Sequence, residues 1–589
     1  MTQTIEPSIF YGLNPNILGR IISLFLICSL SSTSRLAYAQ DSSFDSGALS
    51  SATQASVVEK KIEEEQKPGL ETEQKKPEIK IETKEREEYQ LPNIHFLVRE
   101  IAVEGNTIFT HAELKPLLIP YENQELTIEK IKALTQSITQ KYRQEGFGTS
   151  FAYLPHQQVR AETLRINVFE GKVDTIKIEE NRFFRKKQIR SYFSIQEGEV
   201  LNIKKIESAL RHLNEHPDRT VQAKLIAGTK PATSDIVLTV KDRFPVHLST
   251  RYDNEGVKSS GKQRFQFALT NRNLTSLDDT LSVGTVFGKH FGFLFTRYEL
   301  PFPKTNTKLI GGFSHGQSTP KKELSPFGVN SLSQMYSGGL EQNLFRRNRF
   351  TMDLGGGFEL RESRTRVDSG TFTRERLRIL RLAPKALVFG PRSVTSIVPE
   401  FRFGINGMGA SIHADRGAAR QGVEPTFFIF HGKLNHIQKM PLDTKTSIEI
   451  EFQHSSKKLP SQEAFYLGGA STVRGYPEGD YLADSGIRAT LEYLVPTFFF
   501  PKSWELPFSK TPLRNEVEIV AFLDDGYGRL RGPSRLETQS RHLIGMGGGL
   551  RIHLYQNLFA RLEWAAAVGD HPLRAGNRHE FYFRLQAEQ

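Results

Sequence analysis

From about residue 244 onward, apolar and polar side chains take turns along the chain, the period-two signature of strands with two unlike faces. Sixteen such segments can be traced, beginning near Val246, Arg264, Leu281, Phe293, Lys308, Tyr336, Phe350, Arg378, Thr395, Phe427, Ser447, Ile487, Val517, Leu543, Leu558 and Phe581. Most run for about 9–12 residues, the length an inclined strand needs to cross a bilayer. In 543–554, Ile544, Met546, Leu550, Ile552 and Leu554 face one way and Gly545, Gly547, Gly549, Arg551 and His553 the other. A closed barrel is the only β-structure that spans lipid, because every strand edge is paired. The pattern predicts a transmembrane barrel of 16 antiparallel strands over residues 243–589.

Upstream the period changes. Residues 96–103 read as a strand closed by the Gly105-Asn106 turn, and Leu114, Leu117 and Leu118 suggest a short helix. Ile128, Ile131, Leu134, Ile138 and Tyr142 recur at three- and four-residue spacing, an amphipathic helix. Strands over 150–154 and 163–169 follow. The order then repeats: strand 173–178, helices 186–192 and 202–213, strands 221–226 and 235–240. Two α+β units are therefore expected, over 93–172 and 173–242, each with sheet edges able to accept an extended peptide.

The first 39 residues read as an export signal: Arg20, the apolar run 21–30, then Ala37-Tyr38-Ala39 as a small-x-small cleavage site. Residues 40–92 read as a charged linker, with Glu, Lys and Gln dominating 59–90. The one cysteine, Cys28, lies in the signal, which leaves no disulfide, thiol nucleophile or cysteine-bound metal afterwards. The net charge is +12, yet the basic residues are dispersed and no recognition motif accompanies them, so nucleic acid is not an expected partner.

Candidate chemistry gathers in one long connection. Gly468-Gly469-Ala470-Ser471-Thr472-Val473-Arg474-Gly475-Tyr476-Pro477 sits within irregular chain over 456–485. A loop of that length in a compact protein is usually functional or disordered, and its glycines, aromatics and lone arginine suggest a segment that folds back and docks. A candidate anchor lies in 516–526. There Val517, Ile519, Ala521 and Leu523 form a lipid-type face, while Glu516, Glu518, Phe522, Asp524 and Gly526 share the opposite one. The arginine fork suits a bidentate carboxylate, so an Arg474–Asp524 salt bridge is expected. A solvated Arg474 and an ordinary lumen charge at Asp524 are the alternatives. Gly312-Phe313-Ser314-His315-Gly316 fits the G-x-S-x-G hydrolase pattern, but no strand-to-helix elbow accompanies it. No metal-ligand cluster or nucleotide motif is present, and no enzymatic activity is expected.

At these residues the sequence resembles the TpsB two-partner secretion transporters, the haemolysin activator and filamentous haemagglutinin transporter type. That family lies within the POTRA-barrel superfamily of outer-membrane translocation and assembly proteins. Val473-Arg474-Gly475-Tyr476 matches the family's VRGY loop motif, and Phe522-Leu523-Asp524-Asp525-Gly526 its F-x-D-x-G motif on the thirteenth strand. Tyr252-Asp253-Asn254-Glu255-Gly256 with Gly261-Lys262-Gln263-Arg264, and 273–279, look like its opening hairpins. Over residues 93–589 the resemblance implies two periplasmic POTRA domains and a barrel in the bacterial outer membrane, with the loop folded into its lumen. It further implies a secreted TpsA-like exoprotein as partner, outer-membrane lipid around the wall, barrel-assembly machinery for insertion, and no cofactor. Residues 47–66 are the candidate for the plug helix that family members often carry. Two features depart from the pattern: Glu180-Asn181 replaces a Gly-Asn turn, and the chain ends on Gln589 instead of an aromatic residue. An assembly factor for other barrels and a passive porin or receptor remain alternatives; two repeats favour secretion over assembly.

Overall fold

The computed structural model describes residues 79–81 and 95–589, apart from 158–161, 304, 348, 369, 415–421, 502, 506–511, 536, 555–556 and 574–577. The expected signal (1–39), the plug-helix candidate (47–66) and most of the linker lie outside the described residues.

In the first α+β module, Thr110 caps the helix His111–Leu118 in a capping box with Glu113, and Thr127 caps Ile128–Gln144. Their inner faces bring Leu114, Leu118, Ile131, Leu134, Ile138 and Tyr142 into one core with Ile101, Leu164 and Ile166. Glu100–Glu104 runs parallel to Thr163–Phe169, which pairs antiparallel with Phe151–Tyr153. The single strand expected over 96–103 is two strands. The Arg99 amide turns aside to donate to the Glu162 carbonyl at 2.8 Å. His95–Val98 thereby pairs with Gln124–Thr127, a strand that periodicity did not reveal.

The second module repeats the motif with helices Lys186–Ser191 and Ile203–Asn214. The departure at Glu180 leaves the repeat intact: Gly105 and Glu180 occupy the left-handed region at φ 83° and 62°. The asparagine after each makes the same contact, Asn106 Nδ2 to Phe109 O at 2.8 Å and Asn181 Nδ2 to Phe184 O at 2.9 Å. An acid closes each turn. Glu170 accepts from the Thr107 and Ile108 amides, and Asp242 from those of Arg182, Phe183 and Phe184. The sheet order is Ile79–Ile81, Arg219–Ala227, Thr233–Asp242, Lys172–Glu179. Its first strand lies in the stretch read as linker. Composition hid it, because Ile79-Lys80-Ile81 alternates for only three residues within Glu- and Lys-rich sequence.

The rest closes into one antiparallel barrel, from Val246–Asp253 around to His579–Glu588, which pair with each other. Ser393–Gly404 and Ser411–Ala414 pair in succession with Gly370–Phe389 and make one wall strand interrupted by the irregular stretch 405–410. Counted so, the wall has 16 strands. Each segment start traced in the sequence falls on or at the edge of one of them. The wall is inverted relative to a soluble fold. Phe265, Phe267, Leu269, Leu491, Leu523, Met546 and Leu550 are exposed, while Asp253, Arg264, Glu359, Arg361, Glu451, Arg488 and Glu563 are buried. Exposed apolar surface on this scale marks contact with lipid. Among the described residues no helix is long and apolar enough to cross a membrane.

Candidate functional site: an arginine from a long loop against the barrel wall

Residues 456–484 join the eleventh wall strand, Lys445–Ser455, to the twelfth, Ser485–Pro496. Within them Phe465–Leu467 and Tyr481–Ala483 form a two-stranded ribbon. Between its strands the chain turns through glycines at positive φ and carries Val473, Arg474 and Tyr476, each buried. Gly475 has φ +91°, and a Cβ there would stand 2.7 Å from the Ala567 backbone nitrogen. Only glycine lets the loop approach the fifteenth strand, Leu558–Ala567, this closely. The wall makes reciprocal room: a Cβ on Gly545 would overlap the Arg474 carbonyl, and one on Gly526 would meet the Val473 side chain.

Arg474 is 4% exposed and Asp524 is 0%. The guanidinium donates from Nε to Asp524 Oδ2 at 2.7 Å and from Nη2 to Oδ1 at 2.8 Å. The Arg474 backbone amide adds a third bond to Oδ2 at 3.0 Å. Nη1 reaches Glu492 at 2.9 Å and Glu563 at 3.1 Å, and the guanidinium carbon lies 3.4 Å from the centroid of the Phe522 ring. Arg551 donates to Glu492 at 2.9 and 2.7 Å and to Glu563 at 3.0 Å. Arg561 stands 3.5 Å from Glu563. Three arginines thus meet three carboxylates drawn from strands twelve, thirteen and fifteen. Buried charges persist only when paired and hydrogen-bonded, and here every carboxylate has a guanidinium. Around the network Val473, Tyr476, Phe465, Leu467, Tyr481, Leu543 and Ala567 pack as one apolar cluster.

The structure therefore brings together Arg474, Asp524 and Phe522 from the two motifs, with Val473, Gly475, Tyr476 and Gly526 supplying packing and space. Glu516, expected on the strand, ends the one-turn helix Leu513–Glu516 before it. Sequence reasoning did not single out Glu492, Arg551 or Glu563 as partners. Their only signal is a charged residue on the non-lipid face of each strand, and which of these meet depends on wall register. It also missed a second contact set. Glu463, 1% exposed, accepts from Arg402 at 3.2 Å, while Ser461 and Gln462 donate to Glu375 at 3.0 and 3.2 Å.

Nearer the modules, Arg264 grips Asp253 at 2.8 and 3.1 Å within the opening hairpin. Arg219 of the second module grips Asp278 in the next connection at 2.5 and 2.6 Å, with Gln188 and Tyr192 donating to the same carboxylate. Ser314 of the hydrolase-like pentapeptide lies inside the wall strand Thr307–Ser318, without a following helix elbow. Among the described residues no group of three or more His, Cys, Asp or Glu is placed to hold a metal.

A POTRA module ahead of a closed outer-membrane-type barrel defines a class of transporter, and comparison with known proteins specifies which. The family model described as haemolysin secretion/activation protein ShlB/FhaC/HecB matches residues 232–552, and the ShlB-type POTRA domain matches 96–171. The outer membrane transporter CdiB of Dickeya dadantii is 24% identical over 449 residues, covering 73% of this chain and 76% of that protein. CdiB of Escherichia coli is 27% identical over 467 residues, covering 77% and 76%. The solved structure of Escherichia coli CdiB superposes with a TM-score of 0.68 at 22% identity, covering 94% of this chain and all of that one. The chain belongs to the ShlB/FhaC/HecB family: it is a TpsB transporter of two-partner secretion, in the outer membrane with POTRA structure on the periplasmic side. Its partner class is the TpsA-like exoprotein.

Proposed function

We propose that this chain takes an unfolded exoprotein in the periplasm on two POTRA domains, 93–172 and 173–242, and passes it outward through the barrel of 243–589. In this reading the loop 456–484 lies in the lumen and Arg474, clasped by Asp524, holds it against the wall. Lipid surrounds the outer face, and barrel-assembly machinery inserts the chain. Folding of the exoprotein outside supplies the drive, without nucleotide hydrolysis or any other catalysis.

The observation that carries the reading is the fork of Arg474 on Asp524 at 2.7 and 2.8 Å, at the centre of a charge-balanced network. Such an arrangement holds a loop firmly, yet it can be replaced by water once the loop moves. The test is export by Arg474→Ala and Asp524→Ala with the barrel still inserted, read by secreted exoprotein and by heat-modifiable migration. Loss of export in both is the expected result. Undiminished export would remove the role, and a defect in other outer-membrane barrels would favour assembly instead.

A further inference from the structure

The seventh and eighth wall strands, Phe350–Val367 and Gly370–Phe389, pair with each other up to the hairpin that joins them. Near that hairpin the odd-numbered positions point inward: Arg361, Ser363 and Thr365 are buried, as are Thr373, Glu375 and Leu377. The even-numbered positions therefore face lipid. On the seventh strand that outer face runs Phe350, Met352, Leu354, Phe358 and Leu360, then changes to Glu362, Arg364 and Arg366. On the eighth it passes from Leu382 and Leu380 to Arg378, Arg376 and Arg374. From Phe350 to Leu360 the chain climbs roughly 23 Å, at about 3.3 Å per residue and a tilt of about 45°, close to an apolar band of about 25 Å. The seventh strand runs away from the periplasmic modules, so the arginines begin where the hydrocarbon of the outer leaflet gives way to headgroups.

This group carries more positive charge than its neighbours offset. Register places Arg364 directly opposite Arg374, and like charges facing each other across a ladder repel. Among the described residues Glu362 is the one carboxylate in contact with the group. It accepts from Arg374 at 3.0 and 2.8 Å and lies 3.5 Å from Arg376. Arg378 is engaged with the Met408 and Leu377 carbonyls, at 3.0 and 2.8 Å. The flanking strands put Leu332 opposite Arg364, Asn330 opposite Arg366 and Ser411 opposite Arg376, none of them acidic. Arg364 Nε is buried and has no hydrogen-bond partner. A buried donor of a charged group left unpaired is unfavourable, so the cluster is shaped for an anion from outside the chain.

We propose that the outward arginines of strands seven and eight bind the phosphate groups of the glycolipid in the outer leaflet. Planar guanidinium groups take phosphate oxygens two at a time, and basic clusters at a bilayer boundary hold anionic headgroups. The order of residues on this face suits a lipid. Acyl chains lie along Phe358, Leu360, Leu380 and Leu382 while phosphates meet Arg364, Arg366 and Arg374 just above them. A soluble anion gains nothing from that apolar strip. An acidic segment of the exported partner would travel on the other side of the wall, where Glu359 and Glu375 face inward.

The test uses the full-length chain in detergent, with bis-phosphorylated lipid A as probe and native mass spectrometry of the bound lipid as readout. Arg364→Gln with Arg374→Gln is expected to weaken binding roughly thirtyfold, at about fivefold for each arginine near an anionic surface. Arg364→Lys with Arg374→Lys keeps the charge and is expected to bind within about threefold of the parent, which separates lost binding from a misfolded wall. Arg529→Gln, an outward position on the thirteenth strand, Val517–Arg529, is expected to bind as the parent does. Equal binding by parent and glutamine variant overturns the proposal, and so does lipid A without phosphates binding as tightly as the intact lipid. Displacement by an equal concentration of inorganic phosphate assigns the cluster to a soluble anion instead. Displacement by an equal concentration of polyglutamate assigns it to an acidic polypeptide, and either result removes the lipid.

Discussion

Arg402 and Glu463 form a second clasp on the loop, Nη2 to Oε1 at 3.2 Å and Nε to Oε2 at 3.1 Å, on a flank of the wall away from Arg474. Arg402 also reaches Glu359 at 3.1 Å, and Glu359 is held by Arg361 and Arg381 at 3.0 Å each. The loop is thus tied at two places to separate ionic clusters. Glu463→Gln removes one tie while leaving Arg402 compensated by Glu359, so a mild effect is expected: export within about threefold of the parent. Combined with Arg474→Ala it should raise bilayer conductance more than the two single changes together. Planar-bilayer recording checks this, and strictly additive values would mean the ties are independent.

At Arg474 itself, charge alone should not suffice. Lysine cannot reproduce the bidentate contact with Asp524 or the planar stack on Phe522. Arg474→Lys is expected to resemble Arg474→Ala, with export reduced about tenfold. Removing only Asp524 leaves the guanidinium with Glu492 and Glu563, and breaking a buried pair typically costs about 3–5 kcal/mol. A secreted-protein assay normalised to inserted barrel distinguishes these outcomes.

Space can be tested apart from charge. Gly545→Ala places a methyl where the Arg474 carbonyl lies, so the loop must lift although every ionic partner remains. The expected phenotype is that of Arg474→Ala: raised conductance and impaired export. Gly338→Ala, whose Cβ would meet nothing within 4 Å, is the control.

The second module should respond to acid. Burial, with Arg346 and Arg211 nearby, lowers the His212 pKa from 6.5 to about 4. A depressed folded-state pKa contributes stability above the unfolded value of 6.5, and this is lost as pH falls towards 4. As pH falls from 7 to 5, the protection of the amides in the helix Ile203–Asn214, taken relative to the intrinsic exchange rate at each pH, is therefore expected to fall, with His212→Asn flattening the dependence. Hydrogen exchange by mass spectrometry measures it.

Much of this architecture was legible because a membrane wall obeys one rule, alternation, for its whole length. The starts at Val246, Arg264 and Val517 follow from it directly, and Arg474 and Asp524 stood out through their motifs. What stayed hidden depends on neighbours distant in sequence. Glu492 and Glu563 look like any lumen-type carboxylate until strands twelve to fifteen are set in register. Ile79–Ile81 looks like linker until an edge accepts it, and Arg99 breaks a strand only because Glu162 offers a carbonyl.

The wall strands differ greatly in length. Val246–Asp253 has 8 residues, while Asn330–Arg347 and Phe350–Val367 have 18 and Gly370–Phe389 has 20. At about 3.3 Å per residue and a tilt of about 45°, the longest rises roughly 47 Å, against an apolar band of about 25 Å. The chain enters the wall from the periplasm at Val246, so the hairpin between Val367 and Gly370 stands on the cell exterior. Its flanks carry Arg364, Arg366, Arg374, Arg376 and Arg378, residues that sit easily in a polar zone and not in hydrocarbon. The cylinder is lopsided: one side ends near the bilayer surface, and the other continues as a charged parapet beside which an emerging polypeptide would begin to fold.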